Sequence, residues 1–221
     1  MRKLLLPILF TFITALLITG CVNYDQKTEL KSDGSGTMKI HYWASSSNIS
    51  DNELGGFGFN DEKARKNFTS TNTTVDNVKI EEKADTDTTK STHVYLDLKF
   101  KDINKLSEAK GFEKIKATYE KSEKGMEFKY TLLKDTANSG FGMEKYTLTY
   151  EFNFPDEVLA TNGNLDGKKV SWSKNLTDLK EDVLMSATIK GSGKKCGLFG
   201  IELPIVVLVG SVLVFGLKRK K

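Results

Sequence analysis

The chain has 221 residues and a formal net charge of +4, and 38% of its residues are hydrophobic. This length suits one globular domain with its own core. Arg2, Lys3 and the four basic residues at 218–221 account for more than the whole positive excess, so the region between them is close to neutral. A near-neutral region offers no basic face, which argues against nucleic-acid binding.

The N-terminus has the pattern of a secretory signal peptide. Arg2 and Lys3 precede an apolar run over residues 4–18, and the small residues Thr19 and Gly20 follow it. We therefore expect residues 1–20 to be a removable signal. The last four residues of this region, ending at Cys21, resemble a bacterial lipobox. That resemblance implies that Cys21 is acylated and begins the mature chain; the alternative is an uncleaved signal anchor with an incidental cysteine.

The C-terminus has the pattern of a membrane span. Residues 197–217 contain one charged residue, Glu202, and residues 218–221 are all basic. At about 1.5 Å per residue, the apolar stretch covers the roughly 30 Å of a bilayer's hydrocarbon. The basic end favours the cytoplasmic side, so we expect a single-pass helix with the preceding domain outside the cell membrane. A buried core helix is the alternative.

We divide the rest of the chain into a domain over residues 21–192 and a linker over residues 193–196. If Cys21 is acylated, Cys196 has no disulfide partner, and the domain must be held by its core alone. The sequence around Cys196 also resembles a processed sorting tail, although a Leu-Pro-x-Thr-Gly motif is absent.

The first half of the domain alternates between apolar and polar residues over 22–30 and 37–44, with Asp33-Gly34 between these runs. Because Asp-Gly suits a tight turn, this pattern predicts a β-hairpin. Residues 45–59 read as a loop. Asn60 or Asp61 is then placed to cap a short helix.

Further strands are expected at residues 75–83 and 92–100. Asp102 is placed to cap a second short helix over residues 103–110, and Gly111 ends it.

The second half contains the longest alternation in the chain, from Tyr146 to Phe154, which Pro155 ends. Other expected strands lie at residues 115–119, 126–132, 158–161 and 184–190, and around Val170 and Trp172. The sum is an α+β fold: a mainly antiparallel sheet of about eight strands, apolar on one face, which two short helices cover.

Three features together resemble the LppM-type bacterial envelope lipoproteins. They are the lipobox with its strand and Asp33-Gly34 turn, the segment from Phe152 through Asn162-Gly163 to Trp172, and the basic-ended apolar tail. The resemblance implies a membrane-tethered domain of a lipid-binding type, with envelope glycolipids as ligands. It carries no catalytic motif and assigns no ligand-contacting residue.

Residues with catalytic or metal-binding chemistry are few. His41 and His93 each lie in an expected strand without Cys, Asp or Glu at metal-ligand spacing, so we expect both on the solvated face. No nucleophile or phosphate-loop motif is present. We therefore expect no enzymatic activity, no metal and no cofactor.

Two glycine-rich loops place large apolar side chains where they could contact an acyl chain or a membrane. The candidate residues are Phe57 and Phe59 in the first loop, and Phe141 and Met143 in the second. The alternative is that each folds back into the core. For the protein we expect a binding module for envelope lipid or glycolipid; the alternative is a structural or protein-interaction module of the cell surface.

Overall fold

The structure is a computed structural model that describes residues 22–191, apart from Asp87 and residues 136–142. The predictions for the signal peptide, Cys21, Phe141, Cys196 and the span at residues 197–217 lie outside the described residues. Within the described part of the chain, no helix combines the length and apolar character needed to cross a membrane.

Over the described residues, the chain is mostly β-structure, with thirteen strands, one α-helix and short 3-10 helices. The strands are β1 (Asn23–Leu30), β2 (Gly36–Ser45), β3 (Glu53–Leu54), β4 (Phe57–Gly58), β5 (Thr73–Ala84), β6 (Lys90–Phe100), β7 (Ile115–Ser122), β8 (Gly125–Leu132), β9 (Thr147–Asn153), β10 (Val158–Thr161), β11 (Asn164–Asp166), β12 (Lys169–Asn175) and β13 (Val183–Ile189), and the helix is α1 (Asp61–Phe68).

The larger sheet has seven strands in the order β11-β12-β9-β1-β2-β6-β5. Its neighbours are antiparallel except β1 and β9, which run parallel, with Tyr24 opposite Leu148. The mainly antiparallel prediction is confirmed. The parallel pair was not predicted, because alternation identifies a strand and its buried face but not its neighbour.

A second sheet covers one half of the larger sheet. Its strand order is β10-β13-β8-β7. The ring of Phe128 on β8 lies 4.7 Å from that of Phe152 on β9, and Tyr130 lies 5.6 Å from Tyr150. The expectation of one sheet covered by two helices is therefore wrong for this half, because strands predicted as part of one sheet pair with each other and form the cover.

Helical segments cover the other half. Asn60 caps α1, as predicted, and its side-chain oxygen accepts a hydrogen bond from the Lys63 backbone N–H at 2.8 Å. Phe68 at the end of α1 packs against Tyr42 on β2. Asp102 also caps as predicted, and the segment after it forms 3-10 helices over Ile103–Glu108 and Lys110–Phe112.

The segment between β10 and β11 connects the edges of the two sheets. The Asn162 side-chain oxygen accepts from Trp172 Nε1 at 2.8 Å and from the Ser186 backbone N–H at 2.9 Å, and its amide nitrogen donates to the Leu184 carbonyl. A Cβ on Gly163 would lie 2.6 Å from the Trp172 ring, so this position requires glycine. The segment was predicted only as a turn; it also joins the sheets.

Candidate functional site

The inner face of β1 carries polar residues within an aromatic interior. Tyr24, Gln26 and Thr28 occupy alternate positions and are all buried, Gln26 to 1% exposure. Because alternate residues of a strand share a face, these side chains point between the two sheets. Buried polar groups need hydrogen-bond partners, so their contacts decide what this interior can do.

Gln26 connects the two sheets through hydrogen bonds. Its side-chain oxygen accepts from the Tyr24 hydroxyl at 2.8 Å and from the Tyr130 hydroxyl of β8 at 3.2 Å. Its amide nitrogen donates to Thr28 Oγ1 at 3.0 Å. Gln26 therefore joins β1 to β8 at the centre of the interior.

Tyr150 on β9 completes this group. Its ring lies 5.5 Å from that of Tyr24 and 5.6 Å from that of Tyr130, and the residue is 4% exposed. Among the described residues, its hydroxyl has no hydrogen-bond partner. We call Tyr24, Gln26, Tyr130 and Tyr150 the tyrosine cluster.

The phenols of the tyrosine cluster are neutral at physiological pH. Burial raises the pKa of Tyr150. Burial, followed by the neighbouring Tyr130 and Tyr150, raises the pKa of Tyr24 well above its ordinary value. Burial and Tyr150 raise the pKa of Tyr130 in the same way. The cluster therefore offers hydroxyl donors and acceptors and no charged base.

The Tyr150 hydroxyl, for which the described residues offer no partner, gives the cluster a binding capacity. A buried hydroxyl without a partner costs about 1–3 kcal/mol. The Tyr150 O–H can donate, and the oxygens of Tyr24 and Tyr130 retain lone pairs that can accept. This combination, surrounded by aromatic rings, suits a neutral polar group such as an ester or a hydroxyl on an otherwise apolar molecule.

Comparison with known proteins identifies the domain. The LppM domain family matches residues 28–190. The chain belongs to this family. The resemblance predicted from the sequence is thus confirmed for the domain, whereas the lipobox and the apolar tail lie outside the matched residues.

A solved structure is also similar. The NMR structure of the folded domain of LppM from Mycobacterium tuberculosis shares 17% sequence identity with the chain, with a TM-score of 0.45. The similarity covers 78% of this chain and 91% of that one. No curated protein sequence matches the chain.

The predicted apolar contact residues lie in different environments. Phe57 on β4 is half-buried, and its ring lies 5.9 Å from that of Tyr24 and 5.0 Å from that of Tyr42, so it borders the tyrosine cluster. Phe59 is buried, with its ring edge-on to Tyr42. Met143 is buried just before β9. The structure thus brings Phe57, and none of the other described candidates, to the cluster's border with solvent.

The histidines differ from the expectation of two solvated side chains. His41 is half-buried on the outer face of the larger sheet, but His93 is only 8% exposed and hydrogen-bonded. Over the described residues, no group of three or more His, Cys, Asp or Glu side chains is arranged to hold a metal ion.

One feature of the sequence points to the tyrosine cluster. Gln26 and Thr28 share the parity of Val22, Tyr24 and Leu30, so a polar pair was visible on the face that had to be buried. The positions of Tyr130 and Tyr150 beside Gln26 could not be predicted, because they depend on how strands that are distant in the sequence pack together.

Proposed function

We propose that the domain is a non-enzymatic module that binds a lipid or glycolipid of the bacterial cell envelope. The observation that carries the proposal is the buried Tyr150 hydroxyl, which has no hydrogen-bond partner among the described residues and lies among aromatic rings. An ester or hydroxyl of an amphipathic lipid fits that position, and its apolar chain fits the aromatic surroundings. Membership of the LppM domain family supports an envelope lipoprotein.

Phe57 is the proposed point of entry for this ligand. It is half-buried, it contacts the Tyr24 and Tyr42 rings, and it lies on the short β4 strand of a two-stranded hairpin rather than within a large sheet. To uncover the Tyr24 side of the cluster, this hairpin must move, which breaks the hydrogen bonds that the Tyr42 hydroxyl and the Asn67 amide donate to the Gly58 and Gly56 carbonyls.

The proposal includes two membrane attachments. Acylation of Cys21 and a span over residues 197–217 would hold the domain at the outer surface of the cell membrane, with the C-terminus in the cytoplasm. Labelling cells with an alkynyl fatty acid tests the first attachment. We expect Cys21→Ala to lose the label and Cys196→Ala, the matched control, to keep it; label retained on Cys21→Ala contradicts acylation at that position.

The ligand is tested by photocrosslinking. Full-length protein in phospholipid nanodiscs is irradiated with a diacyl glycolipid that carries a diazirine in its acyl chain. We expect crosslinked peptides that contain Phe57 and residues of β8 or β9. Tyr150→Phe should reduce their yield about threefold to tenfold, the size of one hydrogen bond.

The matched control is Tyr95→Phe, which removes a phenol hydroxyl from the opposite face of the sheet. It should leave the crosslinking yield unchanged. Crosslinks confined to residues 197–217, with none in residues 22–191, would contradict the lipid-binding proposal. Crosslinks from the domain to proteins in cells, without crosslinks to lipid, would favour the interaction-module alternative.

A further inference from the structure

The outer face of the larger sheet carries a continuous chain of polar contacts. His41 Nε2 and His93 Nδ1 lie 2.9 Å apart, and His93 Nε2 lies 2.9 Å from Ser91 Oγ. Ser91 Oγ donates to Asp85 Oδ1 at 2.8 Å. At the other end, Asp25 Oδ2 lies 3.7 Å from His41 Nδ1. We call these five residues the histidine bridge.

The proton positions in the histidine bridge follow from the donors present. The one Ser91 hydroxyl proton is given to Asp85, so Ser91 Oγ must accept from His93 Nε2–H. A neutral His93 then has a lone pair on Nδ1, which accepts from His41 Nε2–H. A neutral His41 therefore has a lone pair on Nδ1, and it faces the carboxylate of Asp25.

Aromatic rings hold the two imidazoles in place. The His41 ring is stacked between Tyr95, at 4.2 Å and 3°, and Trp43, at 4.5 Å and 17°. The His93 ring is nearly parallel to the Trp43 ring, at 5.6 Å and 7°. Because these planes are almost parallel, neither imidazole can rotate freely while the stack persists.

Charged groups around His41 both raise and lower its pKa. Burial is the largest influence and lowers the pKa of His41, and Lys83 on β5 lowers it further. Asp25 on β1 and Glu81 on β5 raise it. Lys79 on β5 pairs with Glu81 and lies over the Tyr95 ring, and Lys39 on β2 and Lys27 on β1 lie on the same face, two positions from His41 and Asp25.

The surroundings of His93 oppose a positive charge more consistently. Burial, Lys83 and His41 lower the pKa of His93, in that order, and Asp85 and Glu81 raise it to a smaller extent. The first proton therefore goes to His41 Nδ1, which faces Asp25, because both ring nitrogens of His93 are already engaged in hydrogen bonds.

We propose that the histidine bridge is an acid-operated latch between β1, β2, β6 and the end of β5. The first proton binds His41 Nδ1 and pairs with Asp25, and the His41–His93 hydrogen bond survives. The second proton must bind His93 Nδ1, the atom whose lone pair forms that bond. The bond then breaks, and two adjacent imidazolium rings repel each other.

Release of His93 affects the end of the β5–β6 ladder. Lys83 pairs with Ser91 there, and Ala84 pairs with Lys90. When the ring of His93 leaves, Ser91 Oγ loses its N–H donor, and its contact with Asp85 is no longer fixed from the sheet side. We expect these last ladder pairs to open at low pH, while the covered inner face remains intact.

The test is an NMR titration of the full-length protein in detergent micelles from pH 8 to pH 4.5, which follows the imidazole nitrogens and backbone amide exchange. We expect two protonation steps separated by more than about one pH unit, the mark of coupled sites. Relative to the intrinsic exchange rate at each pH, exchange of the amides at the end of the β5–β6 ladder should accelerate about tenfold in the lower step only.

Two variants separate the latch from ordinary titration. His41→Phe keeps a ring in the stack and should leave a single step at His93. Ser91→Ala should keep both steps but uncouple amide exchange from the second. Independent titration of the two histidines near pH 6.5 overturns the proposal. So does amide exchange at the end of the β5–β6 ladder that does not change across the lower protonation step of the wild-type chain.

Discussion

Neighbouring residues of β1 belong to two different polar networks. Gln26 points inward to the tyrosine cluster, and Asp25 points outward to the histidine bridge. Burial acts on both networks through the same physics, since it disfavours the charged form of any group. It raises the pKa of the phenols and lowers the pKa of the histidines. The inner network therefore stays neutral at physiological pH, whereas the outer one can gain charge in mild acid.

The substitution with the largest expected effect on the inner network is Gln26→Leu. The change leaves the Tyr24 and Tyr130 hydroxyls and Thr28 Oγ1 without their amide partner in a buried site. Because each orphaned group costs about 1–3 kcal/mol, we expect a loss of about 3 kcal/mol or more in the free energy of unfolding. Urea denaturation measures it. Lys27→Leu on the exposed face is the control, and an equal loss there contradicts the role of Gln26.

Two substitutions that each remove one phenol hydroxyl test the inner network in more detail. Tyr130→Phe removes a hydroxyl that is bonded to Gln26 and should cost about 1 kcal/mol. Tyr150→Phe removes a hydroxyl that has no partner among the described residues, so it should cost nothing, or stabilise the ligand-free domain. Denaturation of both variants in delipidating detergent decides this. Equal costs would mean that the Tyr150 hydroxyl is satisfied within the protein.

The outer network should make stability depend on pH. The folded-state pKa values of His41 and His93 are lowered, so the unfolded chain binds more protons as pH falls below about 6.5. The stability contributed by the neutral histidines is present above that pH and is lost as pH falls toward the lowered folded-state pKa values.

Melting temperatures measured between pH 8 and pH 5 should therefore decline at the acidic end. A His41→Phe, His93→Phe double variant should show a flatter profile over the same range. A wild-type melting temperature that rises between pH 7 and pH 5 would contradict the lowered pKa values.

The smallest expected effect belongs to Asp25→Asn. At pH 7 His41 is neutral, so the Asp25 carboxylate, 3.7 Å from Nδ1 of the ring, forms no ion pair with it, and the free energy of unfolding should change by under about 0.5 kcal/mol. The pKa of His41 should fall further, because Asp25 is the main group that raises it. NMR titration measures that shift. An unchanged His41 titration would show that the carboxylate does not act on the ring.

Local structure was predictable because it depends on local patterns. The strand expected at residues 158–161 is β10 (Val158–Thr161), and the capping roles of Asn60 and Asp102 are confirmed. Alternation and short polar side chains before a helical segment are sufficient for such features.

Which strands pair with each other was not predictable from these patterns. The backbone N–H of Thr147 donates to the side chain of Asn23, 124 positions earlier, at the start of the parallel β1–β9 pair. Nothing in either strand's alternation specifies that neighbour. The same limit hid the second sheet, and with it the approach of Tyr130 to Gln26. The hydrogen bonding of His93 was also hidden, because it depends on Ser91, whose hydroxyl donates to Asp85 at the end of the neighbouring strand.

The Asn162 junction restricts how the interior can expand. One amide side chain binds Trp172 of the larger sheet and the backbone of β13 in the smaller sheet, so the two layers cannot separate along that margin without breaking either the Trp172 bond or both bonds to β13. At the margin near β7 and α1, side-chain amides also bind backbone groups: Asn104 accepts from the Tyr119 N–H of β7, and Asn67 of α1 donates to the Gly56 carbonyl. If the proposed ligand enters between the sheets, we expect the edge at Asn162 to stay closed, because the side chain that fastens it lies on the covalent connection between the two sheets.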